Sequence, residues 1–246
     1  MSNHSHLLSF NIESWNACAL GLTETTQWEA WAKTLDWPSE GKVDASSIPP
    51  MMRRRMSIQS KLAVQTALNE LNNQDIDYLV FSSRHGELHR TVTIIEDILS
   101  GEEASPMAFA QSVHNTAAGL TTIASKKPIP VTSIAAGENT FHSALLDAFI
   151  FLHENPKSKV LLIDFDQPLP HIYQEFEEQR FSDYAVGCAL TSGHQFTVQR
   201  KTTSSSTSLA MSSLPQGLQC FQHFLLHSNS WEINSQKQQW LWSRNP

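Results

Sequence analysis

The run Ser133-Ile-Ala-Ala-Gly-Glu138, followed by Asn139-Thr-Phe-His142-Ser-Ala-Leu145, reads as a strand over Pro130 to Ala135 that turns at Gly137 and opens a helix over 139–153. A strand feeding straight into a helix must fold that helix back onto its sheet, which commits the chain to layered α/β architecture. Catalytic chains place a nucleophile at such an elbow, because the helix dipole and its free N–H groups favour an anion there. Here the position holds Glu138. A carboxylate in a first helical turn also has a plain structural reading, since it complements the dipole by ~0.3–1 kcal/mol. Under either reading a buried carboxylate without partners is costly, so Glu138 is expected to be hydrogen-bonded.

The rest of the chain alternates between helical and strand-like periods. Trp28, Trp31, Ala32 and Leu35 share one face of a short helix that ends before Pro38, and a polar connection covers 38–51. Ser57 is placed to cap a helix carrying Ile58, Leu62, Ala63, Ala67 and Leu71. A strand is expected at Tyr78–Ser82, and after a turn at Gly86 a helix bearing Val92, Ile95, Ile98 and Leu99. Residues 107–125 read as a broken helical region. Val160–Ile163 is too apolar for an edge and predicts a central strand. Tyr184–Leu190 and Phe196–Arg200 read as a final pair of strands, Leu218–Leu226 as an amphipathic helix, and Gln239–Trp242 as a short terminal strand.

Seven Trp and twelve Phe supply material for one sizeable core. A net charge of -7 argues against nucleic acid as the main partner. Cys18, Cys188 and Cys220 are widely spaced, so neither a disulfide framework nor a zinc site is expected. No segment matches a secretory signal or the ~20 apolar residues of a membrane span, and a soluble cytoplasmic protein is expected.

Ser133 to Glu138 resembles the Ser-Ile-Ala-Thr-Ala-Cys run of β-ketoacyl synthases, with Glu138 at the nucleophilic cysteine. Ser105-Pro106, the segment Phe109-Ala-Gln-Ser112-Val-His114-Asn115-Thr-Ala-Ala-Gly119, Arg54-Arg55-Met56-Ser57 and Lys159–Asp164 match the same family in order, from about residue 10 to about 195. The resemblance implies an α/β thiolase-like half-fold, α-β-α layers around a mixed sheet, with a short C-terminal extension. The domain boundaries that follow are 1–201 for the ketosynthase N-terminal-like domain, 202–213 for a Ser/Thr-rich loop and 214–246 for a helix and strand packing on the same domain. The half of the family that supplies two catalytic histidines and a lysine has no room in 246 residues. The short chain-length-factor-like subunits of aryl polyene ketosynthases are the members most similar in this respect.

That resemblance implies a non-catalytic subunit, without cofactor or metal, that heterodimerises with a full-length β-ketoacyl synthase and meets acyl carrier protein mainly through it. His114, Asn115 and the strand Pro130, Val131, Thr132, Ser133, Ile134 and Ala135 then fall at the partner interface, where the family pairs this strand across a twofold axis. Phe109, Ser112 and Thr116 lie at helical offsets, so one face carrying them, with Glu138, would line an acyl tunnel; the same residues also suit ordinary core. Arg53, Arg54 and Arg55, at a helix start, are a carrier-protein docking patch or simply a solvated turn. Asp164 and Asp166 flank Phe165 and should share one side of a strand. Two alternatives stay open: an acyl-thioester hydrolase or malonyl decarboxylase using Glu138, and a homo-oligomeric acyl-binding scaffold.

Overall fold

The structure, a computed structural model, describes residues 7–202, 213–235 and 238–246. The Ser/Thr-rich run at 203–212 lies outside the described residues.

Elements follow in the order β1 (Leu7–Ala19), α1 (Thr25–Thr34), α2 (Pro50–Arg53), α3 (Ile58–Asn73), β2 (Tyr78–Ser82), α4 (Leu88–Leu99), α5 (Pro106–Ala110), α6 (Thr116–Ser125) and β3 (Val131–Ile134). They continue as α7 (Thr140–Glu154), β4 (Lys159–Asp166), β5 (Tyr184–Ser192), β6 (Phe196–Thr202), α8 (Gln216–Leu225), β7 (Ser230–Asn234) and β8 (Gln238–Arg244). One eight-stranded sheet has the order β3-β2-β4-β5-β1-β6-β8-β7. Strands β3, β2 and β4 are parallel, and the pairings from β4 onward are antiparallel. This is the mixed-sheet, thiolase-like half-fold that the resemblance to β-ketoacyl synthases implies.

Alternation along β4 sets the layers. Leu161, Ile163 and Phe165 pack with Leu62, Ala63 and Ala67 of α3 and Ala117 and Ala118 of α6 on one face. Val160 and Leu162 pack with Ala144, Leu145, Ala148 and Leu152 of α7 on the other. By the same period Asp164 and Asp166 point to the α7 side, at the strand end where the elbow stands. The segment after residue 213 covers that face. α8 lies against α7 and α1, with Leu218 and Phe221 joining Trp28 and Trp31 in one cluster, and β7 and β8 extend the sheet beyond β6.

Local sequence accounts for the boundaries. The Ser57 hydroxyl accepts the Ser60 N–H at 3.0 Å, capping α3, and also donates to the Glu87 carboxylate at 2.8 Å, which seats an anion at the helix N-terminus. Gly86, at φ +54, makes the turn before α4, and a Cβ there would lie 2.9 Å from the His114 ring.

Several expectations need correction. Strands β5 and β6 do not pair with each other, because β1 lies between them. The three arginines do not open a helix: Arg53 ends α2, where the dipole favours a cation, and donates to the Ala45 carbonyl at 3.1 Å, while Arg54 and Arg55 are exposed in the turn before Ser57. Phe109, Ser112 and Thr116 share no helix face, since α5 stops at Ala110 and α6 starts at Thr116. Among the described residues, no helix is long and apolar enough to cross a membrane.

Candidate functional site

The elbow follows β3 as a turn of 3-10 helix, Gly137–Asn139, running into α7. Gly137 adopts φ +59, a left-handed conformation that glycine takes without steric cost. Thr140 braces the turn: its hydroxyl accepts the Ala136 N–H at 2.9 Å and donates to the Gly137 carbonyl at 2.7 Å. Glu138 is half-buried and is not without a partner. It stands at the rim of a small cavity of about 30 Å³, lined among others by Arg84, His85, Asp164, Asp166 and Tyr184.

The two aspartates are held by different donors. Asp164 accepts the Ser82 hydroxyl at 2.5 Å and the Tyr184 hydroxyl at 2.7 Å. Asp166 accepts the Ser83 hydroxyl at 2.9 Å and the Arg84 N–H at 2.7 Å, with the His85 N–H at 3.3 Å. Burial pushes Asp164 up to about 6 and Asp166 up to about 7, the latter also raised by its neighbour Asp164. Burial likewise lowers His85 to about 4, helped by the Arg84 charge. Gly217, at the start of α8, lies so close to the Asp164 carboxylate that a Cβ could not be added without displacing one of them.

On the other side of the elbow His114 ties the sheet edge to the loop after β2. Its Nε2 meets the Ser83 carbonyl at 2.8 Å, and its Nδ1 meets the Ser133 hydroxyl at 3.0 Å. The carbonyl only accepts, so Nε2 donates there. Asn115 is exposed, and Thr116 is buried with its hydroxyl donating to the Val113 carbonyl at 2.8 Å. Phe109 is 65% exposed on α5, and Ser112 is half-buried in the turn that follows. Thus His114, Ser133 and the loop behind Asp166 are brought together near the elbow, whereas Phe109 projects from this chain's surface.

The feature that sequence reasoning misses is the tie between the elbow helix and the C-terminal segment. His142 is fully buried; the Trp242 indole donates to its Nε2 at 3.0 Å, so Nδ1 carries the proton and donates to Gln216 Oε1 at 2.5 Å. The ring stacks on Trp240, with centroids 4.3 Å apart and planes 7° apart. Asn139, the residue after Glu138, accepts the Trp240 indole N–H at 3.0 Å and the Gln216 amide at 3.3 Å. Burial lowers His142 to about 3, although the bond to Gln216 opposes this. The signals available in sequence were His142, one helical turn past Glu138, and the Trp-x-Trp pair near the end, and nothing local joins them.

A family model for the N-terminal domain of β-ketoacyl synthases matches residues 28–243. The chain belongs to this family. The match continues past residue 195, where the motif-level resemblance ends, through α8 and β7 into β8. The ketosynthase-like chain is similar to a solved structure of the ketosynthase ApeO in complex with its chain length factor ApeC from Xenorhabdus doucetiae. That similarity has 32% identity, covers 96% of this chain and 100% of that chain, and gives a TM-score of 0.86. Two more distant structures share the fold: an ishigamide ketosynthase/chain length factor (14% identity, 79% of this chain and 67% of that one, TM-score 0.60) and a β-ketoacyl synthase from Burkholderia phymatum STM815 (10% identity, 85% and 67%, TM-score 0.58). No curated relative is detected by sequence.

Proposed function

We propose that this chain is a chain-length-factor-like, non-catalytic subunit that heterodimerises with a complete β-ketoacyl synthase and shapes its acyl tunnel in type II polyketide synthesis, of the aryl polyene kind. The observation that carries the reading is Glu138 at the elbow: the strand, the turn and the helix behind it are present, while the residue at the family's cysteine position cannot form an acyl thioester. The solved ApeO and ApeC complex supports it, since a ketosynthase and its chain length factor there form one assembly. So does the surface. Strand β3 ends the sheet with one side open, a template for pairing with another chain, and Ile95, Ile98, Leu99, Met107 and Phe109 are exposed on α4 and α5. The partner would hold the cysteine and the condensing chemistry and present acyl carrier protein, with Arg53, Arg54 and Arg55 at most a minor contact.

Length control in this account is side-chain volume at the partner's tunnel. Phe109, exposed in the single chain, would fill space in the complex together with Ser112 and Glu138, whereas Thr116 is buried within this chain. Phe109→Ala should shift the products of the complex towards longer chains, read by mass spectrometry of the carrier-bound acyl groups. An unchanged product distribution from a variant complex that still assembles takes Phe109 out of the tunnel.

A further inference from the structure

Past the end of β1, the turn that carries Gly21 and the loop that carries Lys42 to Ser46 meet α2 and α3 around an open groove of about 720 Å³. Its wall is fixed by the chain itself. Gly21 and Gly41 pack backbone against backbone, so closely that a Cβ on Gly41 would overlap the Gly21 Cα. Gln65, buried on α3, donates to the Asp44 carboxylate at 3.1 Å and accepts the Ser47 N–H at 3.0 Å. Asp44 also accepts the Ser46 N–H at 3.0 Å, and Arg53 holds the Ala45 carbonyl. A ligand entering here would find the loop already ordered, which lowers the entropic cost of binding.

Three cations line this groove, Lys42, Arg53 and Lys61. Arg53 and Lys61 are half-buried, and among the described residues the ammonium groups of Lys42 and Lys61 have neither a hydrogen bond nor an ion pair. Lys61 also stands near the N-terminus of α3, where the helix dipole disfavours a cation. Cations drawn partly out of water and left unpaired are costly until an anion meets them. A phosphate suits several at once, because it offers three strong acceptor oxygens.

Glu24 and Asp44 line the same groove. They oppose a ligand that is anionic along its whole length, such as an acidic peptide or a nucleic acid, and admit one with a single anionic end and a neutral body. Among the described residues no aromatic ring lines the groove to stack a base; Thr23, Ser46 and Glu24 present two hydroxyls and an exposed carboxylate instead, partners for the hydroxyls of a ligand. The volume falls within the ~300–1,000 Å³ of small-molecule clefts.

We propose that this groove binds a phosphorylated polyol of sugar-phosphate size, with the phosphate among Lys42, Arg53 and Lys61 and the hydroxyls towards Thr23, Glu24 and Ser46. Strands β2, β4 and β5 separate β1 from the β3 edge, so the site does not depend on the heterodimer reading.

Glucose 6-phosphate, glucose and inorganic phosphate, titrated into the full chain by calorimetry and thermal denaturation at matched ionic strength, test this. Glucose 6-phosphate at ten times its Kd should raise Tm by ~3–6 °C. It should bind at least ~10-fold more tightly than inorganic phosphate, and glucose should not bind. Lys61→Gln should weaken glucose 6-phosphate by ~10-fold, the worth of one charge-assisted hydrogen bond, and Lys42→Gln, on the facing loop, by ~3–10-fold. Lys157→Gln, an exposed lysine outside the groove, should leave the affinity unchanged. Failure of glucose 6-phosphate to bind overturns the proposal, as does equal affinity for inorganic phosphate, or an affinity that survives both Lys61→Gln and Lys42→Gln. Equal weakening by Lys157→Gln would show attraction to the chain's surface charge at large and would overturn it too.

Discussion

Replacing His142 by leucine should cost ~3 kcal/mol of folding free energy at pH 7, and most of that cost should disappear by about pH 4.5. At neutral pH the variant leaves the Trp242 indole N–H without its acceptor and Gln216 Oε1 without its donor in the interior, at ~1–3 kcal/mol for each buried group left unmade. The pH dependence follows from the position of the imidazole. Its folded value, about 3, lies below the ordinary 6.5, so between these values the unfolded chain binds a proton that the folded chain refuses. The stability that neutral His142 contributes is therefore complete above pH 6.5 and is lost as pH falls through the window, at ~1.4 kcal/mol per unit. Leucine has no such loss, so the two proteins converge. Asp164 and Asp166 act with the opposite sign, since their raised values withdraw stability as pH climbs from 3.8 towards about 6 and about 7; they are common to both proteins and cancel in the difference. Urea unfolding of wild type and His142→Leu from pH 7 to pH 4.5 reads the effect. A difference that stays constant across the range contradicts the buried, neutral imidazole.

Val131→Pro should weaken association with the synthase by ~10–100-fold while leaving the isolated chain's unfolding midpoint nearly unchanged. Strand β3 binds β2 through alternate residues: the Leu79 N–H donates to the Pro130 carbonyl at 3.0 Å and the Ser83 N–H to the Ile134 carbonyl at 3.2 Å. The main-chain groups of Val131 and Ser133 therefore face the open edge. Proline at the first position of an edge strand with its nitrogen outward is tolerated within one chain, yet it removes a donor that strand pairing across the edge requires. One lost hydrogen bond and the ring's steric intrusion account for the expected factor. Equilibrium binding by sedimentation or calorimetry gives the number, and an unaltered Kd would put the interface elsewhere on the molecule.

How legible these features are in sequence depends on how locally they are encoded. The β2 strand at Tyr78–Ser82, the Ser57 cap and the elbow are written in contiguous residues, and each folds as its pattern dictates. The long β1 strand is not, because polar Ser14 and Asn16 interrupt its period. They are tolerated because the Glu70 carboxylate of α3 accepts from both, at 2.6 and 3.1 Å, a partnership 56 and 54 residues distant in the chain. A bulge between Ile12 and Ser14 breaks the alternation further. Phe109, Ser112 and Thr116 mislead for the opposite reason: their spacing is helical, but Pro106 starts a helix of only five residues and the chain turns before Thr116. Around the site, the Asp164 and Asp166 pair follows from the period of a strand, whereas the His142, Gln216, Trp240 and Trp242 tie spans up to 100 residues and exists only once the C-terminal segment has docked.

The most direct test of the central claim is a condensation assay on a complete β-ketoacyl synthase from the same genome, purified with this chain and without it, alongside the mass of the purified assembly. The account predicts a one-to-one complex that elongates acyl chains, with elongation lost when this chain is omitted and retained with Glu138→Ala in place of the wild type. A synthase that elongates equally well alone, or a complex that Glu138→Ala inactivates while it remains assembled, would contradict a non-catalytic chain-length-factor role.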